Sequence, residues 1–333
     1  MPEGHSVHRI ARQFDRNYVG RAVAASSPQG RFAEGAAVID GRTATAVRAQ
    51  GKQMFVEFDD DVWLRVHLGM YGAWDFSGEI LVDPTIASAN GRMGQTNQRG
   101  TVLAGEPVMD DAGENSLSSI GAPRRARVHV RMSEQTTGLA DEEGAWPPPV
   151  VGQVRLRLLT AITCADLRGP TACALQTPDE MGATLAGLGP DPLVDDPAEG
   201  EERFVAAVRR KPTSIALLLM DQAVVAGIGN VYRAELLFRA RLNPFTPGRD
   251  VPEELVRELW RDWSRLLRIG VETGQMMTMD DLSPDDWRRA MASRDDRHWV
   301  YHRTGLPCRL CGTAIALQEL GARKLYWCPS CQA

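Results

Sequence analysis

At 333 residues and 43% hydrophobic content, the chain is long enough for two domains with separate cores and has an ordinary globular composition. A formal net charge of -5 argues against a protein coated in nucleic acid along its length, although a local basic surface stays possible. No stretch approaches the roughly 18 consecutive apolar residues of a membrane span, and no apolar secretory segment stands near the amino terminus, so the expectation is a cytoplasmic protein.

Ser6 suits an N-cap, and Val7, Ile10, Ala11 and Phe14 follow at helical spacing, so a short amphipathic helix is predicted at once. Residues 23–58 read as β, with turns at Gln29-Gly30 and Asp40-Gly41 and with Met54, Val56 and Phe58 alternating after Lys52. A further strand over 62–66 runs into His67-Leu68-Gly69-Met70-Tyr71-Gly72, a glycine-flanked loop with a flexible apolar residue near its tip. Residues 87–122 are rich in Gly, Ser, Asn, Gln and Asp, which predicts a disordered insertion. Order is expected again over 127–132 and, after the run Trp146-Pro147-Pro148-Pro149, as a strand over 154–160. Cys164 and Cys173 read as small buried residues.

Residues 187–202 hold Asp191, Asp195, Asp196, Glu199, Glu201 and Glu202 without a strong period, and read as an acidic linker. The expected division is therefore 1–186, then the linker, a helical domain over 203–293, and a tail over 294–333. Beyond the linker, helices are predicted around 204–209, from Ile215, over 232–240, and over 253–269 with Leu255, Leu259, Trp263 and Leu266 on one face. Between them, 221–230 ends Gly227-Ile228-Gly229-Asn230 and reads as a buried, tightly turned segment. The pattern is a helix, two turns, and a helix.

Cys308, Cys311, Cys328 and Cys331 stand in the pattern C-x2-C-x16-C-x2-C, which fits one structural zinc ion in a closed four-thiolate shell. Two disulfides in a secreted protein would use the same residues, but the amino terminus does not support secretion. Residues 313–319 and 322–327 read as strands joined at Gly321, a hairpin presenting Arg323 beside Lys324. From 294 to 333 six basic residues face three acidic ones, so the tail is locally basic. Gly227, Gly229 and Asn230 fit either a packed interhelical turn or a phosphate clamp, and the basic hairpin downstream favours the clamp. At the other end, removal of Met1 would leave Pro2 with a free secondary amine beside Glu3. Such an amine can attack an aldehyde-like carbon to form an iminium ion, an electron sink for elimination.

Taken together, Pro2-Glu3-Gly4, Gly51-Lys52, His67-Leu68-Gly69-Met70, Asp221-Gln222 through Tyr232, and the four-cysteine hairpin with Arg323 resemble the formamidopyrimidine-DNA glycosylase and endonuclease VIII family of base-excision repair enzymes. The resemblance implies an α+β multidomain chain. Its parts would be an N-terminal β-sandwich with flanking helices, a helix-two-turn-helix bundle and a zinc β-hairpin, with duplex DNA in the cleft between domains. It implies that Pro2 is the nucleophile, Glu3 the general acid/base, and Lys52 a catalytic phosphate holder. Asn230 and Arg323 would grip the flanking phosphates, and Met70 with Tyr71 would fill the space left by a flipped base. A monomer that associates with the nucleoid through DNA is expected.

Two departures bear on substrate. His5 and Ser6 replace a proline and a glutamate common in the family. The loop that invades the opposite strand in the formamidopyrimidine branch corresponds to residues 166–171, which supply Arg168 for DNA but no phenylalanine. The expectation is the endonuclease VIII branch and oxidised pyrimidines.

Overall fold

The computed structural model describes residues 2–81, 119–121, 146–279 and 282–333. Helix α1 (Gly4–Asn17) comes first, with Glu3 at its N-cap position, so the helix begins before Ser6. Ser6 is buried within it rather than capping it. The Glu3 side chain does not cap α1, because it is bound elsewhere. Phe14 of α1 enters the sandwich core edge-on to Trp74 and Phe76, and the same helix packs on β2 and α7, so it belongs to both halves.

Strand β1 (Ala24–Ser26) and helix α2 (Ala33–Ile39) precede β2 (Ala44–Gln50), β3 (Gln53–Phe58) and β4 (Val62–His67). Helix α2 lies in a stretch predicted as β: it has seven residues and buries only Ala36 and Ile39, too few for a helical period to register. β2 and β3 join through Gly51-Lys52, a two-residue connection whose Gly51 has φ +56°, the sign a type II′ hairpin turn requires there. Strands β5 (Ala73–Gly78) and β6 (Ser119–Gly121) pair antiparallel. β6 corrects the end of the expected insertion, since Ile120 is fully buried; one apolar residue in a polar stretch gives no period. The rest of that insertion and the strand expected at 127–132 lie outside the described residues.

Next come β7 (Val154–Leu159), β8 (Thr163–Arg168) and β9 (Ala172–Gln176). Two antiparallel sheets result, β2-β3-β4-β9 and β1-β7-β8-β5-β6, with the chain crossing between them at the β1–β2, β4–β5 and β8–β9 connections. The sandwich encloses Met54, Val56, Phe58, Leu64, Val66, Leu156, Leu158 and Leu167. Phe55 and Trp63 point to the outer face of the first sheet and are covered by Met181 of α3 (Pro178–Ala186). This small apolar cluster covers part of the outer face, beside the half-buried Glu57 and Arg65.

The acidic stretch is more structured than a linker. Asp191 is fully buried, and Asp196 caps α4 (Pro197–Arg209) by accepting from the N–H groups of Ala198 and Glu199. Proline at the first helical position explains why the prolines there read as breakers. Then follow α5 (Ile215–Leu218), α6 (Asn230–Arg239), α7 (Glu253–Thr273) and α8 (Pro284–Ala292). Val256, Leu259, Trp263, Leu266 and Leu267 of α7 are buried, while Leu255 is packed only partly. The chain ends in the hairpin β10 (Ala316–Leu320) and β11 (Arg323–Trp327). No helix among the described residues is long and apolar enough to cross a membrane.

Candidate active site

The amino terminus is locked onto the start of α6. The Glu3 carboxylate accepts from the N–H groups of Gly229 at 2.8 Å, Val231 at 2.8 Å and Tyr232 at 3.4 Å, satisfying helix-start donors that have no partner within the helix. Gly4 N–H donates to Gly227 O at 2.9 Å. A Cβ on Gly229 would stand 2.4 Å from the Glu3 carboxyl carbon, and one on Gly51 would stand 2.7 Å from Gly227 N. Gly227 and Gly229 thus do permit close approach, but what approaches is the chain's own amino terminus and the β2–β3 turn. The phosphate-clamp expectation is corrected for these two glycines.

The same packing builds a pocket of about 220 Å³ lined by Pro2, Lys52, His67, Met70, Gln222 and Arg323, among others. Lys52 Nζ donates to Ile228 O at 2.6 Å. Burial pulls the Lys52 pKa down to about 8, and the Arg323 charge adds to that, while the Glu3 charge opposes it. Burial also lowers His67, with Lys52 and Arg65 pushing the same way. Gln222, to which the sequence assigned no role, fastens the pocket wall: its Oε1 accepts from Gly227 N–H at 3.0 Å and its Nε2 donates to Ile228 O at 3.1 Å. Only its place beside Asp221 in a motif marked it out.

Arg323 opens β11 directly after Gly321 and Ala322, whose φ values of +60° and +56° match the two left-handed positions of a type I′ turn. The turn delivers Arg323 to the pocket, where its Nη1 donates to Met70 Sδ at 2.7 Å. Tyr71, beside Met70, is 67% exposed. Asn230 lies close by but is engaged: its Nδ2 donates to Lys324 O at 2.9 Å and its Oδ1 accepts from Arg233 at 2.5 Å. Asn230 therefore ties α6 to the zinc hairpin. Arg233, which the sequence did not single out, is fully buried, and burial lowers its pKa to about 10.

Arg168 is not brought to the pocket. It ends β8, and its guanidinium is paired with both carboxylate oxygens of Asp75 on the neighbouring strand. The β8–β9 turn instead supports the Met70 loop, through Thr171 N–H donating to His67 O at 2.8 Å and close packing of Thr171 on Gly69. A second contact missed by sequence lies behind Lys52. Asp191 accepts from His8 Nε2 at 2.8 Å and from Gly51 N–H at 2.6 Å, joining α1, the Lys52 turn and the acidic stretch.

The four cysteine sulfurs of Cys308, Cys311, Cys328 and Cys331 lie within 4.8 Å of one another. Tetrahedral zinc with Zn–S bonds of about 2.3 Å needs sulfurs about 3.8 Å apart. The Cys308–Cys331 and Cys311–Cys328 distances of 3.9 and 3.5 Å bracket that value, and no disulfide joins any of them. Leu310 N–H points to Cys308 Sγ at 3.5 Å, and Gln332 docks the site on the bundle by donating to Leu242 O at 3.1 Å. The donor set fits zinc.

Three family profiles match in chain order: the formamidopyrimidine-DNA glycosylase N-terminal domain over 1–173, the formamidopyrimidine-DNA glycosylase H2TH domain over 188–281, and the zinc finger found in FPG and IleRS over 305–333. A Mycobacterium tuberculosis protein described as endonuclease 8 1 is 34% identical over 334 residues, covering 100% of both chains. Formamidopyrimidine-DNA glycosylase of Rippkaea orientalis is 30% identical over 261 residues, 76% of this chain and 86% of that one. Among solved structures, a complex between Lactococcus lactis Fpg and an abasic site containing DNA superposes with a TM-score of 0.67 at 18% identity, covering 99% of each chain, a likeness of fold. With one profile spanning more than half of its length and a 34% identical relative matching it end to end, this chain belongs to the formamidopyrimidine-DNA glycosylase and endonuclease VIII family of DNA-repair glycosylases.

Proposed function

We propose that the protein is a bifunctional DNA glycosylase and abasic-site lyase that excises oxidised bases, pyrimidines in particular, from duplex DNA. The observation that carries this reading is the gathering of Pro2, Lys52, Met70 and Arg323 around one pocket, with Glu3 anchored beside it on α6. Removal of Met1 would free the Pro2 amine. The amine attacks C1′ of a nucleotide flipped from the stack, the glycosidic bond breaks toward the departing base, and the opened sugar is held as an iminium on Pro2. Loss of the 2′ proton then expels the 3′ phosphate, and loss of the 4′ proton expels the 5′ phosphate. Hydrolysis returns the amine.

Each residue has a matching task. Glu3 handles the proton that ring opening requires, since a carboxylate is the acid/base group nearest Pro2 in sequence and is fixed in place by three backbone donors. Lys52 and Arg323 hold phosphate oxygens, and Asn230 joins them by exchanging its contact with Lys324 O for one with DNA. Met70 and Tyr71 occupy the gap in the stack. A single zinc ion holds the hairpin that carries Arg323, and the protein works as a monomer. The pyrimidine preference is supported by the β8–β9 turn, which has no phenylalanine and keeps Arg168 on Asp75.

The test is borohydride trapping on duplexes bearing dihydrouracil, 8-oxoguanine or an abasic site, with Pro2→Ala alongside. Covalent adducts on dihydrouracil that vanish in the variant are expected. Adducts only on the abasic duplex would reduce the protein to a lyase, and binding without any adduct would remove catalysis from the reading.

A further inference from the structure

Met70 is the one exposed methionine among the described residues, at 40% exposure. Met54, Met181, Met276 and Met277 are buried, and Met220, on the same pocket, is half-buried. Solvent exposure gives a small peroxide access to the Met70 sulfur before the others. That sulfur is also the atom the Arg323 guanidinium touches, at 2.7 Å, across the mouth of the pocket holding Pro2 and Lys52.

We propose that Met70 is an oxidation site, and that its sulfoxide latches the 67–72 loop to Arg323 and closes the pocket. With hydrogen peroxide as oxidant, one peroxide oxygen bonds to Sδ while the O–O bond breaks and the other oxygen leaves as water. The sulfur gives up two electrons and the peroxide is reduced. A thioether is a weak acceptor, whereas a sulfoxide oxygen carries partial negative charge and accepts strongly. Placed on Sδ, that oxygen lies within reach of a guanidinium with several N–H donors, so a soft contact becomes a charge-assisted hydrogen bond. The loop's geometry favours a latch: Gly69 sits at φ +64° in close contact with Thr171, and Gly72 N–H is held by Leu68 O at 2.9 Å, so Met70 projects from a turn already fixed at both ends.

The consequence for DNA rests on the glycosylase reading above. Arg323 bound to the sulfoxide is withheld from phosphate, and Met70 is withheld from the stack. The modification is undone by methionine sulfoxide reductases.

The experiment is limited peroxide treatment of the full chain, followed by peptide mapping, hydrogen exchange of the 67–72 segment, and binding to a duplex carrying a tetrahydrofuran abasic analogue. Expected are Met70 oxidised ahead of the other methionines among the described residues, slower exchange in 67–72, and a roughly tenfold loss of affinity, the scale of one charge-assisted hydrogen bond. Reductase treatment should restore all three, and Arg323→Ala should abolish the slowing. Oxidation of Met54, Met181, Met220, Met276, Met277, Met279 or Met291 before Met70, or exchange in 67–72 unchanged or faster once Met70 is oxidised, would overturn the proposal. Failure of untreated protein to bind the duplex would count against the glycosylase reading instead, with mapping and exchange still deciding the latch.

Discussion

Glu3 and Gly229 meet at 2.8 Å, carboxylate oxygen to backbone N–H, so a residue at the amino terminus caps a helix that begins more than two hundred positions later. The contact works only because position 229 has no side chain. Gly229→Ala would set its Cβ 2.4 Å from the Glu3 carboxyl carbon, and the displaced element would be the amino-terminal segment bearing Pro2. Overpacking of this kind costs about 1–3 kcal/mol. Gly229→Ala should therefore lower the urea midpoint and reduce borohydride trapping together, and an unchanged midpoint would show that the two segments separate freely.

Asp191 provides a pH test of the junction behind Lys52. Burial acts to raise its pKa, but the charge and hydrogen bond of His8, with N–H donors from Leu193 and Gly51, outweigh burial and hold it below the ordinary 3.8. A carboxyl whose pKa is depressed on folding contributes stability that is present above the unfolded value and lost as pH falls through the folded one. Asp191→Asn should cost about 3 kcal/mol near neutrality, the scale of a broken buried pair. The gap between variant and wild type should narrow below pH 4 in a series of denaturant curves. A gap that is constant down to pH 2 would mean the charge contributes nothing.

These contacts mark the limit of what the chain discloses as a sequence. The zinc ligands, the long helix around Trp263 and the strands around Val56 were legible because each follows a fixed spacing or period. Lys52 and Arg323 were legible through motif. The His8–Asp191 pair was not, because a side-chain hydrogen bond spanning 183 positions leaves no local pattern, and a buried aspartate looks in sequence like any member of an acidic run. The Arg168–Asp75 pair was hidden for a related reason: Asp75 lies across a strand pairing that alternation alone does not specify. Gly227 and Gly229 signalled a close approach correctly and left open what approaches.

Lys52 should give duplex binding an alkaline limb. With its pKa lowered to about 8, chiefly by burial, its positive charge is present near neutrality and lost as pH rises through that value, and its attraction for a phosphate goes with it. Affinity measured by fluorescence anisotropy should be level to about pH 7 and fall roughly tenfold by pH 9.5, the size of one charge-assisted contact. An unperturbed α-amino group loses its proton at about pH 8, so a freed Pro2 amine is the rival source of such a limb. Lys52→Arg separates them, since arginine stays charged throughout. Loss of the limb in that variant assigns it to Lys52, and its persistence assigns it to the amine.

Zinc should be required for the grip on DNA while the sandwich stands without it. The four thiolates hold the 308–311 and 328–331 turns together, and the hairpin between them delivers Arg323 to the pocket and Lys324 O to Asn230. Cys308→Ser or strong chelation should release close to one zinc per chain and unfold the hairpin locally, because binding energy at such a site is folding energy. The sheets share no ligand with the metal, so most of the β signal in far-UV circular dichroism should survive. Affinity for an abasic-analogue duplex should fall at least tenfold, the scale of losing one charged contact, and the salt dependence of binding should flatten as the hairpin's phosphate contacts are lost. Metal-free protein that binds with unchanged affinity and salt slope would show that the hairpin does not touch DNA.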